Sequence, residues 1–182
     1  MTILSRNDQG GRSMVEMLGV LAIIGVLSVG GISGYSKAMA KYKLTKVQDQ
    51  ITMLLMNIRT AYATSPSYTG LSAASVASYN LAPTEMVGAN KASLYSAFGG
   101  AVDVAFTGAS ATYFYITLHS LGKEACRTLA TSDWGADGLV SITVGPESGD
   151  GTTHLTGALP ISLQSGASYC NNEVSKITWT YY

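Results

Sequence analysis

Residues 11–24 read Gly11-Arg12-Ser13-Met14-Val15-Glu16-Met17-Leu18-Gly19-Val20-Leu21-Ala22-Ile23-Ile24, and they open a long apolar run. Between Met14 and Tyr35 the only charged residue is Glu16, and the others are apolar residues, glycine or serine. The run has about the length, roughly 20 residues, that a helix needs to cross a bilayer. A charge within a membrane span costs about 2.5–3.5 kcal/mol at the bilayer centre, so Glu16 is a candidate functional residue that needs a partner.

The order of the features around this run is unusual for an export signal. A secretory signal peptide is cleaved after its apolar core. Here a short polar stretch, Met1 to Gly11, ends in glycine before the core, and Glu16 follows five residues later. This arrangement resembles the processing site of type IV prepilins.

The resemblance implies how the N-terminus would mature. A prepilin peptidase would cut between Gly11 and Arg12, so that Arg12 becomes the N-terminal residue and the target of the family's N-methylation. Glu16 would become the fifth residue and would pair with the N-terminal amine of a neighbouring subunit during assembly. Arg12 departs from the family pattern, because most members have Phe or Met there.

The helical pattern continues beyond Tyr35 without a breaker. Apolar residues recur at spacings of three and four with polar residues between them, which predicts an amphipathic helix. They are Tyr35, Met39, Tyr42, Val47, Ile51, Leu54, Leu55, Ile58 and Tyr62. Thr64-Ser65-Pro66 ends the pattern. We therefore predict one helix from Ser13 to Ala63, apolar all round in its first half and amphipathic in its second.

Glycines crowd the middle of this predicted helix, at Gly25, Gly30, Gly31 and Gly34. Each costs up to about 1 kcal/mol relative to alanine inside a helix. Gly30 and Gly34 form a small-xxx-small pair, which favours close packing of helices in a membrane. The resemblance implies a second role, in which Gly30, Gly31 and Gly34 give the helix local flexibility when it packs into a fibre. Both interpretations remain open.

The rest of the chain predicts a sheet. Four stretches alternate apolar with polar or small residues, the pattern of strands with one buried face. They are Val102/Val104/Phe106, Phe114/Ile116/Leu118, Val140/Ile142/Val144 and Ile177/Trp179/Tyr181. Short helices are predicted at Ala73–Tyr79 and Leu121–Ala130.

The predicted fold class is α+β, with the amphipathic half of the long helix packed on an antiparallel sheet. We divide the chain into a leader (1–11), an N-terminal helical region (12–64, transmembrane at about 14–35) and a globular head (65–182). The long loop before the sheet and the cysteine-bearing short helix are similar to those of type IVb pilins, particularly thin-pilus and toxin-coregulated pilus pilins.

Cys126 and Cys170 are the two cysteines of the chain. In an exported body they most simply form one disulfide, with two buried free thiols as the alternative. They lack the close ligand pairs of a zinc site with His119 and His154, so no metal site is predicted.

Neither histidine predicts an enzyme. His119 ends an apolar strand, His154 lies in a Gly/Thr-rich stretch, and neither accompanies a recognisable nucleophile motif. Four acidic residues in Gly-rich loops resemble the calcium loop of secretion pseudopilins, although their spacing matches no EF-hand pattern. They are Asp133, Asp137, Glu147 and Asp150. We expect no catalytic residue and no cofactor.

The charge distribution bears on partners and orientation. Eleven basic residues balance eleven acidic ones, and no basic stretch lies in the head, so nucleic acid is not an expected partner. Four lysines follow the apolar run, and the positive-inside rule alone would place the head in the cytoplasm. They are Lys37, Lys41, Lys43 and Lys46. The cysteines, the Ser/Thr-rich body and the resemblance instead favour an exported head.

The resemblance implies a structural pilin that polymerises through its N-terminal helix into a type IV pilus for surface attachment, cell–cell contact or conjugation. Its partners would be further copies of itself, the prepilin peptidase, the pilus assembly machinery and the bacterial inner membrane, from which it would pass to the extracellular pilus. A minor pilin or a type II secretion pseudopilin is the alternative within this machinery. A monomeric membrane-anchored binding protein is the alternative from another class.

Overall fold

The computed structural model describes residues 14–135 and 137–182. The processing residues Gly11 and Arg12 lie outside the described residues. Backbone packing divides the chain into two compact units, one ending at Lys41 and the other comprising Tyr42–Tyr182.

The long N-terminal helix is confirmed. Helix α1 spans Met14–Ala61, 48 residues, within two residues of the predicted bounds. It passes through the boundary between the two units, so its first half belongs to the N-terminal unit and its second half to the head. Among the described residues, α1 alone is long and apolar enough to cross a membrane, judged by length and composition.

The head adds three short helices and six strands to α1. The helices are α2 (Ala73–Ser78), α3 (Lys123–Thr131) and α4 (Leu163–Tyr169), with 3-10 turns at Thr84–Met86 and Thr156–Ala158. The strands are β1 (Leu94–Tyr95), β2 (Ala101–Thr107), β3 (Tyr113–Leu121), β4 (Leu139–Pro146), β5 (Thr152–Leu155) and β6 (Ser175–Tyr181). They form one sheet in the order β1-β2-β3-β6-β4-β5, and every neighbouring pair is antiparallel. The predicted α+β fold is therefore confirmed.

The core of the head lies between the sheet and the second half of α1. Val47, Ile51, Leu54 and Ile58 are fully buried and belong to one apolar cluster with Trp179 and other sheet residues. Burying a side chain of this size stabilises a fold by about 1.5–3 kcal/mol relative to leaving it in water. The amphipathic half of α1 is therefore the cover of the sheet, as its periodicity predicts.

Aromatic side chains extend this core at the end of α1. The rings of Tyr62, Tyr68, Phe114 and Tyr181 follow one another at centroid distances of 5.4, 4.6 and 5.6 Å. Arg59 lies over the Tyr181 ring at 5.4 Å. Burial raises the pKa of Tyr181 to about 12, although the positive charge of Arg59 acts to lower it. This row of rings joins the last turn of α1 to the centre of the sheet.

The predicted burial of two strand residues, Val140 and Phe106, is wrong. Val140 is only half-buried, and Leu139 takes the core position instead. The reason is a register shift, since Leu139 pairs with Tyr181 while Ser141 pairs with Thr180, which leaves Val140 as an extra residue. Phe106 is 41% exposed, because it lies at the end of β2, where the strand leaves the covered part of the sheet.

Candidate assembly site

The first part of α1 exposes apolar side chains on every side. We call residues 14–36 the assembly segment. Its large apolar side chains are 50–86% exposed. They are Met14, Val15, Met17, Leu18, Val20, Leu21, Ile23, Ile24, Val26, Leu27, Val29, Ile32 and Tyr35. A contiguous apolar surface of this kind marks a membrane or protein contact, because water is an unfavourable surrounding for it.

Glu16 lies in the first turn of α1 with its side chain exposed. A carboxylate near a helix N-terminus is favourable by about 0.3–1 kcal/mol, because the helix dipole is positive there. Within residues 14–135 and 137–182 the carboxylate of Glu16 forms no ion pair. Within the described part of its own chain, Glu16 is therefore stabilised only by its position at the helix N-terminus. Its pairing with a neighbouring subunit stays a prediction.

The glycines of the assembly segment lie inside the uninterrupted helix α1. Apart from the adjacent backbone of α1 itself, a Cβ atom placed on Gly30, Gly31 or Gly34 would have no described atom within 4 Å. Packing among residues 14–135 and 137–182 therefore gives no reason for glycine at these positions. Contact with another helix and local flexibility in a fibre both remain predictions for them.

In the head, the Glu85 carboxylate contacts two side chains of α1. Lys46 Nζ lies 3.0 Å from Glu85 Oε2, and Gln50 Nε2 donates to Glu85 Oε1 at 2.8 Å. The hydrogen bond to Glu85 raises the pKa of Lys46, and the bonds from Lys46 and Gln50 lower the pKa of Glu85. The side-chain oxygen of Gln50 also accepts the Ala97 N–H at 3.2 Å. These contacts hold the 3-10 turn at Thr84–Met86 and the connection between β1 and β2 against α1.

The disulfide predicted from the sequence is confirmed. Cys126 of α3 and Cys170 at the end of α4 are bonded and fully buried, with their Cα atoms 5.7 Å apart. The two helices also approach closely at Gly166, where a Cβ atom would lie 2.6 Å from the Cγ2 atom of Thr131. The bond therefore stabilises a tight contact between α3 and α4 on the head.

His119 forms a polar cluster that the sequence does not predict. Its Nδ1 atom lies 2.7 Å from Glu147 Oε1, and its Nε2 atom lies 3.0 Å from Asp103 Oδ2. A neutral imidazole has one N–H, so both contacts are hydrogen bonds at once only if the ring or a carboxylate carries an additional proton. The cluster links β2, β3 and the end of β4.

A β-bulge in β3 positions this cluster. Pairing with β6 shifts between Leu118 and Leu121, and Ser120 has a positive φ of 59°. The Ser120 N–H then donates to Glu147 Oε2 at 3.0 Å. Partial burial works to raise the pKa of Glu147, but the bonds from Ser120 and His119 hold it below its ordinary value. No sequence signal could have paired residues 103, 119 and 147.

Two of the four acidic residues that resemble a calcium loop make other contacts. Glu147 bonds to His119 and Ser120, and Asp133 Oδ1 accepts the Gly135 N–H at 2.9 Å. In the part of the chain that the structure describes, no three His, Cys, Asp or Glu side chains form a group that could hold a metal ion. His154 packs against the Tyr169 ring at 4.7 Å.

Comparison with known sequences gives consistent results. The family model PilS, described as PilS N terminal, matches residues 41–182. Two relatives are each named major structural subunit of bundle-forming pilus. The one from Escherichia coli O111:H- is 22% identical over 187 residues, which cover 99% of this chain and 97% of the relative. The one from Escherichia coli O127:H6 is 24% identical over 190 residues with the same coverage.

Comparison with solved structures bears on the fold. A type IV b pilin from Salmonella typhi is 18% identical with a TM-score of 0.56, over 78% of this chain and 98% of that chain. TcpA, a type IV pilin from Vibrio cholerae El Tor biotype, is 16% identical with a TM-score of 0.52, over 78% and 99%. At these identities the comparison shows that this chain shares the fold of the two pilins.

Proposed function

This chain belongs to the PilS family and is a type IVb-like pilin, a structural subunit rather than an enzyme, and from that premise we propose how it matures and assembles. A prepilin peptidase removes residues 1–11 by cutting between Gly11 and Arg12. The mature subunit stays in the bacterial inner membrane through its assembly segment. The pilus assembly machinery then transfers it into an extracellular pilus made of further copies.

The exposed assembly segment is the observation that carries this proposal. Its apolar side chains surround the helix on all sides, whereas the second half of α1 buries one face in the head. A bilayer satisfies such a surface before assembly, and a bundle of identical helices satisfies it afterwards. The same residues thus serve as a membrane anchor and as the contact between subunits.

In this proposal, Glu16 sets the register between neighbouring subunits of the fibre. In a bundle of apolar helices a lone carboxylate is costly unless an opposite charge neutralises it. The mature N-terminal amine is the cation closest to it in sequence, four residues before Glu16. Pairing between the Glu16 carboxylate of one subunit and the amine of the next leaves no charge unpaired in the fibre interior.

The major subunit is the role we favour over a minor pilin or a pseudopilin. The two bundle-forming pilus relatives are named as major structural subunits and are covered over 97% of their length.

The test compares Glu16→Ala with a matched control, Glu124→Ala, which removes an exposed carboxylate from α3 of the head. Glu16→Ala makes the assembly segment more apolar, and Glu124→Ala leaves that segment unchanged. Membrane insertion should therefore persist in both variants. We expect Glu16→Ala to abolish surface fibres and Glu124→Ala to leave them at the wild-type number, counted by electron microscopy with membrane levels checked by immunoblot.

Mass spectrometry of sheared wild-type fibres then locates the mature N-terminus, which the proposal places at Arg12. Abundant fibres made of Glu16→Ala subunits would refute the pairing. A mature N-terminus elsewhere would refute the processing site.

A further inference from the structure

The second half of α1 exposes a stripe of side chains on the side opposite the one that it buries. The buried side consists of Val47, Ile51, Leu54 and Ile58, with Gln50 beside them. The exposed residues follow one another at spacings of seven, four, three and four, which places them on one face of a helix. They are Tyr42, Asp49, Met53, Met56 and Thr60, and we call them the outer stripe. Because the head packs on the other side of α1, another molecule can reach the outer stripe without displacing the head.

Most of the outer stripe is suited to a contact that excludes water. Met53 and Met56 are 53% and 63% exposed. Methionine is flexible and fills gaps of irregular shape in a packed contact. The Thr60 hydroxyl donates to the Met56 carbonyl at 2.8 Å, and the hydroxyl of neighbouring Thr52 donates to the Gln48 carbonyl at 2.8 Å. Both hydroxyl donors are satisfied inside α1, so covering this face strands neither of them.

Asp49 is the one charged residue of the outer stripe. It and Glu16 are the carboxylates of α1. In the described part of the chain the Asp49 carboxylate takes part in no ion pair, whereas Glu85 of the adjacent turn is held by Lys46. A contact that covers the outer stripe would bury this negative charge, which is costly unless the partner brings a cation. The outer stripe therefore calls for an apolar partner with a positive charge.

The N-terminal end of the mature subunit that we propose has this character. Its first residue is Arg12, and the assembly segment that follows is apolar and exposed. The Glu16 carboxylate pairs with the α-amine in the proposed function, so the Arg12 guanidinium stays available for another carboxylate. A guanidinium has a planar fork of donors that can bind both oxygens of a carboxylate.

We propose that the outer stripe is a docking site for the N-terminal end of the assembly segment of another copy, with the Arg12 guanidinium of that copy beside Asp49. The inference rests on the processing and polymerisation of the proposed function, and it adds a contact to which the second half of α1 supplies the receiving surface. The outer stripe faces the fibre interior, and the rest of the head stays on the fibre surface.

Labelling of an introduced thiol tests whether the outer stripe is covered in the fibre. Met56→Cys has one free thiol, because Cys126 and Cys170 are joined. Intact sheared fibres and SDS-dissociated subunits are treated with a water-soluble maleimide. We expect Met56→Cys to be labelled only after dissociation. The matched control Leu163→Cys, on α4 of the head, should be labelled in both samples.

Fibre counts test the pairing with Asp49. Asp49→Asn leaves the Arg12 guanidinium without its carboxylate, so surface fibres should fall by about tenfold or more, because stranding one member of a buried pair is costly. Asp49→Glu keeps the charge and should assemble. Glu124→Gln, which removes an exposed carboxylate of α3, is the matched control and should leave the fibre number unchanged. Fibres are counted by electron microscopy, with membrane levels checked by immunoblot.

A double variant asks whether Arg12 is the partner. Arg12→Met/Asp49→Asn removes both charges, and replacing a buried pair by uncharged groups is close to neutral, so fibres should return to near the wild-type number. Methionine is one of the residues that most type IV prepilins have at this position, so we expect cleavage to persist, and mass spectrometry of the N-terminus checks it.

The outcomes separate this inference from the proposed function. Wild-type chains that are not cut before Arg12, or that form no fibres, would refute the proposed function itself. Labelling of Met56→Cys in intact fibres would overturn the docking site. Wild-type fibre numbers for Asp49→Asn, a loss of fibres in Asp49→Glu, or no recovery in the cleaved double variant would overturn the pairing with Arg12.

Discussion

The two halves of α1 treat apolar side chains in opposite ways. In residues 14–36 the large apolar side chains are at least half exposed and surround the helix. In residues 42–61 the buried ones, Val47, Ile51, Leu54 and Ile58, form a single stripe that packs in the head. The second half therefore buries this stripe within one chain, although Tyr42, Met53 and Met56 stay exposed. The first half buries none of its large apolar side chains, and we propose that a membrane or other copies cover them.

This difference separates folding from assembly. The head has its own core, its own disulfide and polar contacts that fasten its loops to α1. The assembly segment contributes no residue to that core. Substitutions in the two halves should accordingly change different measurements. Both tryptophans, Trp134 and Trp179, lie in the head, so tryptophan fluorescence reports the unfolding of the head alone.

The largest expected effect on the head is the loss of its disulfide. The bond closes a loop with a sequence separation of 44 residues. In the chain-entropy model such a loop contributes about 4 kcal/mol. Cys126→Ala/Cys170→Ala should lower the free energy of unfolding by about that amount, measured by urea titration of tryptophan fluorescence in detergent. The level of membrane-inserted protein at low temperature is the control and should not change. An unchanged urea midpoint would show that the bond is not what stabilises α3 against α4.

A matched pair of leucines tests the comparison itself. Leu54 is fully buried, so Leu54→Ala should destabilise the head by about 2–5 kcal/mol through lost contacts and a cavity. Leu21 is exposed in the assembly segment, so Leu21→Ala should stay within about 0.5 kcal/mol in the same measurement. Equal destabilisation by the two substitutions would mean that the assembly segment takes part in folding the head.

The sequence predicts what depends on local periodicity. The spacing of apolar residues predicts α1, its change of character and the four main strands. The bulge that exchanges Val140 for Leu139 follows from pairing with β6, which periodicity within β4 cannot reveal. The edge strand β5 was missed because Thr152–Leu155 has little apolar alternation and only one neighbour.

Long-range polar contacts are the other part that the sequence leaves open. Glu147 and His119 are 28 residues apart, and Gln50 and Ala97 are 47 apart. Such contacts depend on where the completed fold brings the chain together. Glu16 and the glycines stand out in the sequence, but the partners that we propose for them lie in other subunits, so one chain does not display them.

The smallest expected effect is a pH dependence from the His119 cluster. The folded-state pKa of Glu147 lies below its ordinary value of 4.5. Its stabilising contribution is therefore present above about pH 4.5 and is lost as the pH falls below that value. Because the side chain is partly exposed, the contribution should be less than about 1 kcal/mol.

Urea titrations of the head at neutral and acidic pH check this expectation with two variants. Glu147→Gln should be less stable than wild type at pH 7 and should approach it in acid. Glu124→Gln, which removes an exposed carboxylate of α3, is the control. A constant difference between wild type and Glu147→Gln at all pH values would contradict the assignment.

The central claim is that copies of the assembly segment bury one another in the fibre while the head stays outside. Leu21→Cys and Leu163→Cys place a thiol in the assembly segment and on α4 of the head, where both native leucines are exposed in the single chain. Cys126 and Cys170 are joined, so each variant has one free thiol. Intact sheared fibres and SDS-dissociated subunits are labelled with a water-soluble maleimide. The account predicts labelling of Leu163→Cys in both samples and of Leu21→Cys only after dissociation. Rapid labelling of Leu21→Cys in intact fibres would contradict it.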